Sequence, residues 1–315
     1  DKIILGKTDE KSDIFDVFLF AARYITEVEI PPNIKIISPQ AFENCSQLKT
    51  IRIYSNSQLN EIGSFAFSHV AITEIFIPDH ISVISQWAFA DCQQLRRVEF
   101  SDNSELMVIE QFGFSGCAMN QITLPNSLII IHQAAFSGCK DLLKIEISEK
   151  SKIQRIMGKA FSRTSLKELY IPMSLTSLDE NWCCCVKDLI KINISPLNKN
   201  FIYKDDTLLL GKLDSKSDIY DVIYFCRRDI ETITIPSYIT KISSHAFEDC
   251  TNLSSVIFQK NSQLKIIGRY AFSNCGFEEI LIPKEVEVIE SSAFDSCESL
   301  SIVDFEDGCK LRSIE

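Results

Sequence analysis

A chain of 315 residues carries 43 acidic against 32 basic side chains, a net charge of −11, and is 45% hydrophobic with 21 Phe. The acidic balance excludes binding to nucleic acid or anionic lipid by bulk electrostatics, and the apolar content excludes a disordered chain. No stretch reaches the ~20 apolar residues of a membrane span, so direct membrane insertion is not expected; the best candidate, Ser127 to Phe136, is broken by His132 and Gln133.

Residues 1–24 read as the end of an island segment, by analogy with a later copy of the same motif. From there the chain is periodic. Ala41-Phe42, Ala66-Phe67, Ala88-Phe89, Gly113-Phe114, Ala135-Phe136 and Ala160-Phe161 recur at spacings that alternate between 25 and 22 residues. A second series follows at Ala246-Phe247, Ala271-Phe272 and Ala293-Phe294. A fixed period of this length means one supersecondary unit stacked many times.

Each period opens apolar-x-x-apolar-x-apolar, as in Ile72, Ile75 and Ile77, which matches the strand of a leucine-rich repeat. Strands are predicted to start at Ile25, Leu48, Ile72, Leu95, Met119, Leu142, Leu166 and Leu189, then at Ile230, Leu253, Phe277 and Leu300. Period-two apolar residues point inward and the residues between them outward. Every second strand ends in Pro (Pro31, Pro78, Pro125, Pro172, Pro236, Pro283), and the others lead into longer turns such as Asn56-Ser57 and Asn103-Ser104. Pro has no N–H to donate and terminates ladder pairing.

The whole pattern is then duplicated. Lys11-Ser12-Asp13-Ile14 returns as Lys216-Ser217-Asp218-Ile219, an offset of 205 residues that holds without a gap. About 45% of positions match when the first 110 residues are laid on the last 110. The predicted organisation is an eight-rung block at 25–195, a β-meander island at 196–229, and a four-rung block at 230–315 that starts a second module. The fold class is α/β: a leucine-rich repeat solenoid with a parallel strand sheet on one face and short helix or turn segments on the other, interrupted by the island.

The chemistry-bearing residues are dispersed. Eight of the 12 Cys (Cys45, Cys92, Cys117, Cys139, Cys185, Cys250, Cys275, Cys297) fall three residues after the aromatic of a rung, the signature of a buried packing ladder. Cys183-Cys184-Cys185 cannot readily converge on one ion and has no His near in sequence, so no metal site is predicted. The four His are scattered, and neither nucleophile-elbow, Walker nor dinucleotide motifs occur. The expectation is a non-enzymatic protein without a cofactor.

Solenoids bind through their exposed strand face. The candidate partner-binding residues are Arg52, Phe76, Arg97, Glu99, Tyr170, Ile257 and Leu281, with Phe76 and Tyr170 as outward aromatics. Glu29 beside Arg52, Glu74 beside Arg97, and Glu168 between Lys144 and Lys191 predict ion pairs across neighbouring rungs. A face of mixed sign suits a protein partner better than a polyanion.

The run apolar-x-x-Ile-x-Ile-Pro-x-x-Ile-x-x-Ile-x-x-x-Ala-Phe-x-x-Cys resembles the BspA-like leucine-rich repeat family, and the Asn-Ser turns and island strands look most like its protist members. The resemblance covers nearly the whole chain. Departures are few: Val70 and Thr164 for Cys, Gly113 for Ala, and Asn181-Trp182 for Ala-Phe. It implies a cell-surface or extracellular protein that adheres to protein ligands of host cells, extracellular matrix or other microbes, without enzymatic activity. Two alternatives stand beside it: an intracellular scaffold for protein complexes, and an architectural spacer in a surface filament. The chain shows neither an initiator Met nor a signal pattern and stops inside a repeat. Both ends therefore look like cuts, and end-to-end self-association through exposed rungs is expected.

Overall fold

The computed structural model describes residues 2–315. They fall into two compact units, the first holding the chain up to Leu166 with Ser174–Trp182, the second Lys167–Met173 with Cys183–Glu315. Each unit is a parallel β-solenoid, and among the described residues there is no helix.

All twelve predicted long strands form, each about two residues inside its predicted start. The first unit holds Glu27–Glu29, Thr50–Arg52, Glu74–Ile77, Arg97–Phe100, Gln121–Thr123 and Lys144–Glu146. The second holds Glu168–Ile171, Lys191–Ile194, Thr232–Ile235, Ser255–Phe258, Glu279–Ile282 and Ile302–Phe305. The strands do not, however, make the continuous sheet expected of them. Hydrogen-bonded ladders join Glu74–Ile77 to Arg97–Phe100, and Gln121–Thr123 to Lys144–Glu146, with no strand pairing between those two pairs. Each pair begins on a Pro-ended strand, and the step between pairs follows the rung with the longer turn. The longer turn leaves the chain directly after Arg97–Phe100, at the step where this pairing lapses.

The face predicted to carry short helix or turn segments is also different. Two-residue strands such as Val83–Ile84, Val108–Ile109 and Ile130–Ile131 build the longer ladders, of five strands in the first unit and seven in the second. Each then enters an Ala-Phe turn flanked by left-handed residues, for example Trp87 at φ 59° and Asp91 at φ 56°. The Phe89 N–H donates to the Gly113 carbonyl of the next rung at 2.9 Å, and Phe114 does the same to Ala135. Satisfying the backbone between rungs removes the need for helix, for which these short turns lack the length.

The core is a column of rings. Phe18, Phe42, Phe67, Phe89, Phe114, Phe136 and Phe161 stack with centroids 4.5 to 6.0 Å apart, and Trp182 meets Phe161 edge-on at 6.2 Å. Trp182 therefore fills the Phe position in the rung that carries Asn181-Trp182 in place of Ala-Phe.

The island requires correction as well. Ile202–Lys204, Leu208–Gly211 and Val222–Cys226 are successive antiparallel strands, turned at Asp205 and Asp206, both at φ 51°. They do not form a separate body inserted into the solenoid. Val222–Cys226 pairs in parallel with Lys241–Ile242, so all three belong to the seven-stranded sheet of the second unit. The reason is burial: Leu208, Leu210, Ile223 and Cys226 lie in the same hydrophobic cluster as Ile242 and Phe247.

Candidate functional site

The long-strand face presents the predicted residues unequally. Arg52, Arg97 and Glu99 are exposed, and Phe76 is half-buried opposite Glu99 in the ladder. In the second unit Tyr170 is half-buried opposite Asn193, while Ile257 and Leu281 are exposed.

The charge pattern is corrected by geometry. Arg97 pairs with Glu99 at 2.8 Å and Lys144 with Glu146 at 3.1 Å, each two residues along its own strand. Side chains at i and i+2 share a face of a strand, so this route competes with the neighbour across the ladder. Lys191 does reach across, to Glu168 at 3.7 Å. Tyr54 is drawn into the Glu29–Arg52 group, and its bond to the Glu29 carboxylate holds the phenol above its usual range.

The break between strand pairs opens a groove of about 850 Å³ in the first unit. Arg97–Phe100 and Gln121–Thr123 line it from either side, and the turn residues Asp102, Ser104 and Asn126 line it as well. Arg97 and Ser101 donate their N–H groups back to Thr73 and Ile77, so the main chain of Val98 and Phe100 turns toward the groove by strand alternation. Leu124 donates away from it, to Glu146, which leaves the main chain of Gln121 and Thr123 facing inward. Ser127 Oγ is enclosed in its lining without a hydrogen-bond partner. Thr123 Oγ1 donates to Glu146 at 2.8 Å; that bond and the Lys144 ammonium lower the Glu146 pKa and keep it anionic on the rim.

Arg97 and Glu99 are thus the predicted residues that line this groove. Sequence reasoning missed the groove, because nothing in the residue pattern marks where a ladder stops. It also missed a strip on the turn side, where Phe65, Trp87 and Phe112 stack at 5.7 and 4.0 Å. All three are half-buried and left-handed, at φ 58° to 59°. The signal was present as an aromatic directly before three successive Ala-Phe or Gly-Phe pairs.

Among the described residues no group of three His, Cys, Asp or Glu side chains is placed to hold a metal ion. All twelve cysteines are unbridged.

Against known families, the BspA type leucine rich repeat region (6 copies) matches residues 14–112, 107–205 and 218–315. The chain belongs to that family. Among solved structures, the pneumococcal vaccine antigen PcpA matches this BspA-type chain with a TM-score of 0.72 at 22% identity, over 99% of this chain and 78% of that one. A leucine-rich repeat protein from Bacteroides ovatus matches with a TM-score of 0.60 at 23% identity, over 100% and 89%. A leucine-rich cell surface protein from Faecalibacterium prausnitzii matches at 0.64 and 17%, over 96% and 92%. These likenesses establish the fold. No curated protein matches the chain in sequence.

Proposed function

We propose that this BspA-type protein is a non-enzymatic adhesion or interaction protein of the cell surface. Its partners would be protein ligands of host cells, matrix or other microbes, held on the long-strand face. The observation that carries this is the groove between Arg97–Phe100 and Gln121–Thr123, where open main-chain groups lie beside a rim of both charge signs. An extended segment of a protein partner can bond to such main chain while Arg97 and Glu146 select its charges. Phe76, Tyr170, Ile257 and Leu281 add apolar contact area on the same kind of surface. The surface reading is supported by family membership and by two neighbours named as a vaccine antigen and a cell surface protein.

The test is binding of labelled protein to cultured epithelial cells and to matrix-coated plates, with Arg97→Ala combined with Glu99→Ala. A loss of tenfold or more with an unchanged melting temperature is expected; equal binding would remove the groove from the site. Impermeant biotin on intact producing cells addresses location, and an unlabelled protein would sink the surface reading. The unbridged thiols favour a second reading, an intracellular scaffold, which that same labelling distinguishes.

A further inference from the structure

The duplication places every residue of the first 110 opposite a counterpart 205 positions later. The two copies differ in burial at the end of the second, as at Val98 and Val303, and at the start of the first. Ile4 is 56% exposed where Leu209 is 0%, and Phe20 is 40% exposed where Phe225 is 0%. Arg23 is half-buried where Arg228 is 3% exposed. The local architecture is nonetheless the same. Arg23 lies 4.6 Å over Phe20 and bonds the Ala41 and Gln40 carbonyls; Arg228 lies 4.7 Å over Phe225 and bonds those of Ala246 and His245.

What differs is the chain packed on top. In the second unit, Ile202–Lys204 pairs antiparallel along the outer edge of Leu208–Gly211. The Cys185 N–H donates to Glu248 at 2.7 Å, Cys183 Sγ lies 3.9 Å from Arg228, and Lys187 meets Asp249 at 3.7 Å. In the first unit, Ile3–Gly6 is the edge strand of its sheet, bonded to Val17–Ala21 on one side. Its neighbours Arg23 and Glu43 repeat Arg228 and Glu248.

The geometry points to a docking edge at Ile3–Gly6 for the closing segment of another repeat block, one with the chemistry of residues 183–204 of this chain. The occupant adds an antiparallel strand to that edge and covers Ile4 and Phe20 with apolar side chains. It brings a backbone N–H to Glu43 and a thiol to Arg23. The edge is preformed, because the Arg23–Phe20 contact and its carbonyl bonds stand without the cover. An exposed apolar edge strand is the feature that folded proteins ordinarily pair or cover.

The test joins residues 167–205 ahead of residue 1 of the full chain, a junction in native register because residue 206 corresponds to residue 1. Tethering holds the segment at high effective concentration, so failure to dock is informative. Hydrogen exchange at the outward amides of Ile3–Gly6 is expected to slow at least tenfold relative to the 315-residue chain. Phe20→Asp with Arg23→Glu in the extended chain should restore the fast exchange, while exchange around Phe114 stays unchanged as the check on folding. Ile4→Asp is the second variant if that pair fails the check. Unchanged exchange on extension overturns the proposal. Protection already present in the 315-residue chain, rising with concentration alongside a sedimenting dimer, also overturns it and assigns the edge to a second copy.

Discussion

Cys92 donates its thiol proton to the carbonyl of Phe67, one rung earlier, at 2.9 Å. The relation repeats: Cys117 to Phe89 at 3.2 Å, Cys139 to Phe114 at 3.0 Å, Cys275 to Phe247 at 3.2 Å and Cys297 to Phe272 at 3.0 Å. The ladder cysteine is therefore more than a small apolar filler, since it satisfies a carbonyl at the edge of the aromatic column.

Such thiols should be inert in the native protein. Burial pushes Cys92 up to about 12 and Cys183 likewise to about 12, far from the thiolate needed for alkylation. N-ethylmaleimide at pH 7.5 should leave these two unmodified in native protein and modify all twelve cysteines after denaturation. Rapid native labelling of Cys92, read by mass spectrometry, would contradict this. Cys92→Val should cost about 1 kcal/mol, the net worth of one hydrogen bond, because Val70 already fills the equivalent position of its rung.

The ring column predicts its own sensitivity. Phe114 is fully buried between Phe89 and Phe136, at 5.2 and 5.7 Å. Phe114→Ala should destabilise by about 3–5 kcal/mol, measured by urea unfolding. Arg52→Ala, on the exposed face, should lie within about 0.5 kcal/mol of zero. Equal effects of the two would refute the burial assignment.

Acid should loosen the first strand turn through Asp16. Thr8 donates its hydroxyl at 2.6 Å and its N–H at 2.7 Å to this carboxylate, and Lys35 lies 3.1 Å away. The Thr8 bonds, opposed by burial and aided by Lys35, lower the Asp16 pKa from 3.8 to about 2. A depressed native pKa favours the fold at pH above the unfolded value, and that advantage is lost as pH falls from about 4 toward 2. In Asp16→Asn, this share of the fall in melting temperature below pH 4 should vanish. An identical acid limb in both proteins would exclude the role.

Close rung spacing predicts intolerance at Gly276. A Cβ built there would stand 2.2 Å from the Thr251 carbonyl oxygen, a backbone atom that cannot rotate away. Gly276→Ala should therefore destabilise by about 1–3 kcal/mol. The first-module counterpart of Gly276 is Ala71, so the contact is local to the second unit. A stabilised Gly276→Ala variant, as expected from reduced unfolded-state entropy alone, would show that the backbone yields.

Much of this was legible in the residues, and the limits have physical causes. Alternation at Ile75 and Ile77 fixes which side chains point inward, and a repeated Phe fixes a column because identical rungs must stack identically. The helix or turn face was misjudged at residues such as Trp87 and Asp91. Their left-handed φ is a backbone state that bulky L-residues rarely adopt, and no composition rule announces it. The island was misjudged because strand propensity in Val222–Cys226 says nothing of which edge the strand will join.

The sequence by itself determined the solenoid, its twelve long strands, the buried phenylalanines and the duplication, all of which follow from period and polarity. The tertiary structure alone decided where the ladders break, that Arg97 turns to Glu99 instead of Glu74, and which sheet Val222–Cys226 joins. Those outcomes depend on the register of one rung against the next and on what lies above an edge. Both are non-local, and strand propensity within one segment cannot encode either.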